Sequence, residues 1–498
     1  MSLVIDALRA HAKQNPDRIA VDDGSERLTY AGLLEAAEQL SARLRERSAN
    51  AIGLLADNGV AWILTDLAAM IADIPIVPLP LFASTEQLAH AIRSASIDCV
   101  ISDRQDRVCE ALPRETHITL SPFTHDLLGI RFPAQEPAPA LPSACWKVTF
   151  TSGTTATPKG VCLALSTLER TADALRQASA GGPDDRHLCV TPLATLLENV
   201  GGIYAALLAG ASVIVPPLAD VGLSGSSALD RSRLVAALRN SRATTAILVP
   251  QMLAAIVAAI KGGAAAPRDL RFVAVGGATV SEQLLEESLA LGLPVYEGYG
   301  LSECASVVAV NRPGESREGS VGKPLPHVRV EIARDGEILV SGNACLGYLG
   351  GSPIHETVAT GDIGHLDDSG FLFVSGRKKN MFITSFGRNV APEWIEQALT
   401  AQPAIAQAAV FGEARPFAAA IIVPGPNASD SSVALAIDAA NRHLPDYARV
   451  GAWIHAEEPF SLRNGFATAN GRLRRDEIFR AYRAELDALY HPHLARTA

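Results

Sequence analysis

The sequence predicts an α/β protein in which largely parallel sheets are covered by helices, followed by a smaller α+β unit. Short apolar runs, each about one strand long, alternate with stretches in which apolar residues recur at helical spacing. This alternation is typical of βαβ units, because parallel strands need a long crossover between them. The length of 498 residues exceeds what one hydrophobic core normally serves, so we expect at least two domains.

The strand predictions rest on short runs rich in Ile, Val and Leu. They cover residues 52–55, 76–79, 100–102, 212–215, 246–249 and 272–275. Helical spacing lies between them, as at 234–239 and 253–260. Thr279 and Glu282 have the spacing of a capping box, which predicts a helix that begins there and stops at Gly292.

The sheet type is expected to change in the second half of the chain. Asp335 and Gly336 lie between two alternating runs, which predicts a β-hairpin. A smaller domain, residues 379–498, is predicted to follow a large domain, residues 1–378. It should contain a helix from Pro392, strands at 406–411 and 418–423, a helix at 433–442 and a basic terminal helix.

Composition excludes several classes of function. The formal charge of −10 argues against broad nucleic-acid binding. The N-terminus has acids where a signal peptide needs an apolar core, and no apolar run is long and uncharged enough to be a transmembrane segment. Seven scattered cysteines without a C-x-x-C pair indicate buried thiols in a reducing cytoplasm. The oligomeric state is left open.

The first chemical signal is a loop of hydroxyls and glycines after an apolar run at 146–150. Glycine lets the backbone approach a phosphate closely, and one lysine at the end neutralises charge. No glycine directly precedes that lysine, so the loop is not the G-x-x-x-x-G-K-[ST] type. A polar flexible loop is the alternative. The loop residues are Thr151, Ser152, Gly153, Thr154, Thr155 and Lys159.

Two further signals follow predicted strands. Gly276, Gly277 and Ala278 come after the strand at 272–275, where α/β sheets bind ligands, although an ordinary turn has the same pattern. In the sequence YEGYGLSE at 296–303, an aromatic ring between glycines offers a flat face for a base. The adjacent Ser302 and Glu303 suit a phosphate oxygen and Mg²⁺, which prefers oxygen ligands. The alternative is a core aromatic residue beside an exposed acid.

The fourth signal joins a carboxylate to a basic turn. Asp362 ends the sequence Thr-Gly-Asp at 360–362, and Arg377 and Lys379 lie in GRKKN at 376–380. A buried carboxylate can accept both ribose hydroxyls, and an arginine can donate to the sugar or to a phosphate. By itself, the basic turn would be better explained as a solvated surface turn.

In this order, the four motifs resemble those of the adenylate-forming (AMP-binding) enzymes, and the segment at 382–392 resembles fatty acyl-CoA ligases. The resemblance implies a large N-terminal α/β domain with a distorted barrel-like subdomain, and a small mobile C-terminal domain. It also implies that ATP and Mg²⁺ activate a small-molecule carboxylic acid to acyl-AMP. The acyl group then passes to the thiol of coenzyme A or of the phosphopantetheine on a carrier protein.

The resemblance also implies a role for each matching residue. Thr151, Ser152, Gly153, Thr154, Thr155 and Lys159 would hold the β- and γ-phosphates, and Gly276, Gly277, Ala278, Glu297, Tyr299 and Gly300 the nucleotide, with Tyr299 stacked on adenine. Ser302 would meet the α-phosphate, Glu303 would bind Mg²⁺, Asp362 and Arg377 would bind ribose, and Lys379 would be the hinge. The substrate pocket would include Glu198, Asn199, Gly277, Gly300 and Ala305.

Two departures from the family pattern bear on function. At the substrate-side motif, residues 192–199, the aligned positions hold Leu and Thr, and Glu198 and Asn199 come a little later. Without a carboxylate well placed to meet an ammonium group, we expect an apolar acid. Arg472 stands where the family has a catalytic lysine; the charge is kept but the geometry differs. Two alternatives therefore stay open: an acyl-adenylate enzyme with an amine or hydroxyl acceptor, and a non-catalytic nucleotide- or acyl-binding relative.

Overall fold

The computed structural model describes residues 2–46, 50–112, 116, 118–124, 127–132, 140–151, 158–225, 228–278, 280–385, 389–468 and 471–490. Within these ranges the chain forms two large sheets, an antiparallel subdomain and a smaller C-terminal unit. The predicted α/β class, with a large N-terminal unit and a smaller α+β unit, is confirmed.

The first large sheet has nine strands and is parallel from Ile19–Asp22 to Val295–Tyr299. Helices cross over between its consecutive strands, as parallel pairing requires. In spatial order the strands are Lys323–Pro324, Ala309–Val310, Val295–Tyr299, Phe272–Val275, Thr245–Leu248, Arg186–Leu188, Ser212–Ile214, Ile19–Asp22 and Arg27–Thr29.

The second large sheet has eight strands, with a parallel centre and antiparallel margins. Its strands in spatial order are Gly347–Tyr348, Lys159–Leu163, Lys147–Thr151, Ile76–Pro78, Ile52–Leu55, Cys99–Ser102, Leu128–Arg131 and Thr119–Pro122. A two-stranded ribbon, Leu223–Ser224 and Ala228–Leu229, lies apart from both sheets.

Helices cover both sheets, and the largest apolar cluster contains residues from both sheets and from the helices between them. The helices of this part are Leu3–Gln14, Tyr30–Glu46, Val60–Ala72, Thr85–Ser94, Gln105–Ala111, Leu165–Ala178, Ala205–Ala209, Arg231–Asn240, Pro250–Lys261 and Glu282–Ala290, with a π-helix at Leu197–Tyr204 and a 3₁₀ turn at Ser302–Cys304. Thr279 of the predicted capping box lies outside the described residues, but the helix begins later than that box required. Glu282 is the first helical residue, and Ser281 caps the helix by accepting the Leu284 N–H at 3.2 Å.

The subdomain predicted to be barrel-like contains a four-stranded antiparallel sheet. Its strands in spatial order are Arg329–Ile332, Glu337–Ser341, Thr357–Leu366 and Leu372–Arg377. The predicted hairpin is confirmed, because the first two strands pair antiparallel across a turn in which Gly336 has φ +85°. The last two strands place Asp362 directly opposite Arg377.

The C-terminal unit has its own apolar core around a three-stranded sheet. The strands of this sheet are Ile405–Phe411, Ala418–Pro424 and Val450–His455, and a separate two-stranded ribbon pairs Phe382–Ile383 with Asn389–Val390. The helices of the unit are Pro392–Thr400, Asp430–His443, the 3₁₀ turn Asp446–Ala448, Arg475–Ala481 and Arg483–Ala488. The boundary that the sequence predicts, between Lys378 and Lys379, falls in a turn.

Two sequence expectations concern the whole chain. No helix among the described residues is long and apolar enough to cross a bilayer. The seven cysteines all lie in the described ranges as thiols, and six of them are buried while Cys109 is exposed.

Candidate active site

Three parallel strands of the nine-stranded sheet end at one edge, and the loops that follow them form the floor of a deep cleft. Gly277 has φ +82°, which favours glycine. A Cβ on Gly300 would lie 1.7 Å from the carbonyl oxygen of Ser306, so only glycine fits there. Gly276, Ala278, Tyr299 and Ser302 also line the cleft.

A buried carboxylate connects the sheet edge to the antiparallel subdomain. The Tyr299 hydroxyl donates to Asp362 Oδ2 at 2.6 Å, and Arg377 Nε lies 2.7 Å from Asp362 Oδ1. Burial raises the pKa of Asp362, while Arg377 and the Tyr299 hydroxyl oppose that rise. The cluster offers a carboxylate, a guanidinium and an aromatic ring to one small polar ligand.

A second carboxylate lies where the two large sheets approach each other. The Tyr348 hydroxyl donates to Glu303 Oε1 at 2.7 Å. Lys159 Nζ lies over the Tyr348 ring, 5.5 Å from its centroid. The sequence did not predict Tyr348, because only the antiparallel pairing of Gly347–Tyr348 with Lys159–Leu163 brings it here.

The predicted phosphate loop is described only at its ends. Thr151 pairs with Lys159 across the hairpin, and both line the cleft. Ser152, Gly153, Thr154 and Thr155 lie outside the described residues. The ends of the loop thus flank the same cleft as Glu303, while the roles of the loop itself stay predictions.

Arg472 enters this cleft from the C-terminal unit. Its Nη2 donates to the Gly277 carbonyl oxygen at 3.3 Å, and Asp362, Glu303 and Arg377 are among the charged groups that it faces. The backbone holds the residue in place, because Arg472 N–H donates to Thr468 Oγ1 at 3.1 Å. Elsewhere in the contact between the two units, Gln397 Nε2 donates to the Val280 carbonyl at 2.8 Å.

The turn at residues 378–380 connects the two units. Lys378 Nζ pairs with Asp335 at 2.6 Å and with Glu337 at 2.8 Å, which ties it to the large unit. Asn380 Nδ2 donates to Glu393 in the small unit at 2.5 Å. Lys379, between them, lines the cleft. Lys379, the predicted hinge, therefore lies between one residue bound to the large unit and one bound to the small unit.

Glu297 is 8% exposed and lines the cleft next to the sheet edge. Burial raises the pKa of its carboxyl to about 8 from an ordinary 4.5. Between pH 4.5 and pH 8 the Glu297 carboxyl therefore keeps its proton in the folded state, whereas in the unfolded state it has lost it. Stability should fall as pH rises from about 4.5 to about 8.

Glu297→Gln is expected to remove this loss, because a neutral amide has no proton to release. At pH 8 the variant should have a higher free energy of unfolding than the wild type, by up to about 1.4 kcal/mol for each pKa unit of the shift. The two proteins should converge near pH 4.5. Urea unfolding between pH 4.5 and 8 measures this difference.

Glu287→Gln is the control, since a hydrogen bond from Lys261 at 2.9 Å lowers the pKa of Glu287. It should give no gain in stability at high pH. Parallel stability curves for the wild type and Glu297→Gln would contradict the assignment.

Three of the residues predicted for the substrate pocket are placed elsewhere. Glu198 is 0% exposed, and its oxygens accept from His187 Nε2 at 2.8 Å and from the Thr191 hydroxyl at 2.6 Å. Asn199 and Ala305 are also buried in the core. None of these three residues lines the cleft. Both oxygens of Glu198 have protein partners, Asn199 is hydrogen-bonded to Lys147 and Asp66, and Ala305 is 0% exposed. A role for them at the substrate stays a prediction.

The cleft belongs to one cavity of about 2300 Å³. One set of the residues that line it is apolar or glycine. The residues that contribute are Leu175, Leu197, Gly201, Ala205, Ile247, Phe272 and Ala274. Gly277 and Gly300, the two other residues predicted for the substrate pocket, also line this cavity.

The sequence profile of the AMP-binding enzyme family matches residues 8–349, and that of the AMP-binding enzyme C-terminal domain matches residues 379–493. Long-chain-fatty-acid–CoA ligase FadD15 of Mycobacterium bovis is 37% identical over 227 residues, which make up 44% of this chain and 36% of that ligase. The match thus spans little more than a third of that relative.

Two longer matches cover most of the chain. The 2-succinylbenzoate–CoA ligase of Bacillus mycoides is 27% identical over 433 residues, 82% of this chain and 85% of that protein. The crystal structure of the anthranilate CoA ligase AuaEII in complex with anthranoyl-AMP has a TM-score of 0.81 at 20% identity, covering 98% of each chain. At that identity the structural match shows the fold alone.

Proposed function

The chain belongs to the AMP-binding enzyme family, and on that premise we propose that it is an AMP-forming ligase of an apolar carboxylic acid. An oxygen of the acid attacks the α-phosphorus of ATP, and the bond from that phosphorus to the β-phosphate oxygen breaks. The products are acyl-AMP and pyrophosphate. The observation that carries this proposal is that Arg472 of the small unit meets Gly277 in the cleft that Asp362 and Glu303 share.

The residues of the cleft supply binding and charge stabilisation, since no protein nucleophile is required. Asp362 accepts from the ribose hydroxyls and Arg377 donates beside it. Tyr299 lies against adenine. Ser302 and Arg472 donate to the α-phosphate, where negative charge develops during the attack. Thr151 and Lys159, with the loop between them, hold the leaving pyrophosphate.

The carboxylate of Glu303 fits Mg²⁺. It is half-buried, it is an oxygen donor of the kind that this cation prefers, and its orientation is fixed by the Tyr348 hydroxyl at 2.7 Å. Bound Mg²⁺ would neutralise phosphate charge. Glu303 is therefore proposed to be the protein ligand of the ion, with Tyr348 positioning it.

The apolar residues that line the cavity support an apolar acid. Leu175, Ile247 and Phe272 present hydrocarbon surface, and each buried CH₂ of a substrate contributes about 0.8 kcal/mol. Both fatty and aryl acids meet this requirement. The names of the relatives, which include a fatty-acid ligase and a 2-succinylbenzoate ligase, suit the same two classes.

We propose a thiol as the acceptor. Its sulfur, which loses its proton to solvent, attacks the acyl carbon, the bond to the AMP oxygen breaks, and a thioester and AMP leave. Rotation of the small unit at Lys379 would withdraw Arg472 and open the cleft to the thiol. Coenzyme A and carrier-bound phosphopantetheine present the same sulfur, and coenzyme A is the choice that the names of the relatives favour. We place the reaction in the cytoplasm, where the seven thiols would stay reduced.

Pyrophosphate release from ATP and Mg²⁺, measured across a panel of fatty, aryl and amino acids, tests the proposal. We expect release with apolar acids but not with amino acids, and acceleration by coenzyme A. Hydroxylamine is the control acceptor, because it traps acyl-AMP without any thiol. Acceleration by an amine or alcohol but not by coenzyme A would favour the other acceptor class. ATP binding without release for any acid would refute the ligase.

A further inference from the structure

The ammonium of Lys147 is buried in the core of the large unit, where the helix Val60–Ala72 and the π-helix Leu197–Tyr204 meet its strand. Its Nζ lies 2.8 Å from Asp66 Oδ1, 2.5 Å from Asn199 Oδ1 and 2.9 Å from the Tyr204 hydroxyl. None of the four residues is more than 1% exposed.

These four side chains satisfy one another and form what we call the Lys147 network. The Tyr204 hydroxyl donates to Asp66 Oδ2 at 2.5 Å, and Asn199 Nδ2 donates to the same oxygen at 3.2 Å. All three N–H donors of Lys147 have an acceptor. A charge pair at this depth is rarely needed for stability, because apolar residues of similar volume often serve as well. Its presence therefore points to a role in orientation.

The π-helical winding brings two of these side chains to the ammonium. Asn199 and Tyr204 are five residues apart, and in an α-helix of 3.6 residues per turn such residues point about 140° apart. In a π-helix, hydrogen bonds join residues five apart and stack them on one face. The backbone shows this pattern, because the N–H of Ala205 donates to the carbonyl of Val200.

The opposite face of the same helix forms the cavity wall. Leu197 and Gly202 are also five residues apart, and both line the cavity together with Gly201. If the segment rewound into an α-helix, Asn199 and Tyr204 could not both reach Lys147, and the residues presented to the cavity would change. The winding that satisfies Lys147 is thus the winding that shapes the wall.

We propose that Lys147 is a positioning residue for the acid pocket: its buried ammonium holds Leu197–Tyr204 in the π-helical winding that presents Leu197, Gly201 and Gly202 to the substrate. That this cavity binds an acid rests on the proposed function. That Lys147 fixes the winding of the π-helix does not, so these two claims can be tested separately.

The double variant Lys147→Met with Asp66→Leu removes both charges together and leaves no unpaired ion in the core. We expect it to fold, with a KM for the acid raised about 10- to 100-fold, a changed order of preference among acids and an unchanged KM for ATP. Tyr204→Phe, which deletes only the shared hydroxyl, should shift the same quantities in the same direction by less. If the double variant does not fold, Tyr204→Phe is the variant that tests the proposal.

Leu40→Ala is the matched control, because Leu40 is 5% exposed in the same apolar cluster but on a different helix. It should lower the Tm and leave the KM and the acid preference unchanged. A crystal structure of the double variant, or of Tyr204→Phe, gives the readout that needs no turnover. Rewinding of residues 197–204 supports the proposal even if no acid releases pyrophosphate from the wild type. An intact π-helix, or a folded variant with the wild-type KM and preference, overturns it.

Discussion

Arg472→Ala is expected to slow acid-dependent pyrophosphate release by about 10²–10³, while thioester formation from supplied acyl-AMP falls far less. The guanidinium reaches Gly277 in the cleft, where it faces Asp362 and Glu303. In this arrangement it can donate to the α-phosphate as charge develops. Thioester formation begins only after pyrophosphate has left and no further charge develops at the α-phosphate. In the proposed mechanism, the small unit has also rotated by then.

The two half-reactions are measured separately, as pyrophosphate released from ATP and as thioester formed from synthetic acyl-AMP. Arg472→Lys keeps the charge without the planar fork, so it reports how far the pocket is adapted to a guanidinium. Arg463→Ala, an exposed arginine of the same unit, should leave both rates unchanged. Equal losses in the two half-reactions for Arg472→Ala would rule out its assignment to the first step.

Glu303→Ala is expected to reduce Mg²⁺-dependent pyrophosphate release at least about 10³-fold, because the proposed ligand of the cation is removed. The fold should survive, since the half-buried carboxylate is replaced by a smaller neutral group. Pyrophosphate release measured as a function of Mg²⁺ concentration, with circular dichroism as the check on folding, gives the comparison.

Tyr348→Phe tests the hydrogen bond between the Tyr348 hydroxyl and the Glu303 carboxylate apart from the carboxylate itself. It removes the hydrogen bond at 2.7 Å but leaves the charge of Glu303, and a hydrogen bond to a charged group is worth about 1.5–3 kcal/mol. We expect a higher Mg²⁺ requirement with residual activity. Full activity of Glu303→Ala at low Mg²⁺ would show that the ion is held elsewhere.

The sequence predicted those parts of the site in which the functional residues lie within or directly after a predicted strand or a short motif. The strand Phe272–Val275 was predicted to the residue, and the glycines after it lie in the cleft. Asp362 and Arg377 were identified from separate motifs, and antiparallel pairing places them opposite each other. In both cases a short run of sequence carried the signal.

The parts that the sequence did not predict depend on long-range pairing or on helix winding. Tyr348 reaches Glu303 only because a two-residue strand pairs with the strand that follows the phosphate loop. Lys147 lay inside an apolar run, and its partners come from two distant helices. Glu198 and Asn199 were assigned to the pocket because their segment matches the family's substrate-side motif. The sequence gives no signal for the π-helical winding that brings Asn199 to Lys147.

Two hydrogen bonds join a side chain of the small unit to the large unit, and their asymmetry bears on how this protein can evolve. In both, the small unit supplies a side chain, from Arg472 or Gln397, and the large unit supplies a main-chain carbonyl, from Gly277 or Val280. A carbonyl is present whatever residue stands at its position. A substitution of Val280 therefore keeps the docking acceptor, and Gly277 is restricted by its φ of +82° and not by the hydrogen bond. A single substitution at Arg472 or Gln397, in contrast, removes a donor. Changes in the docking of the two units should therefore arise mainly from substitutions in the small unit.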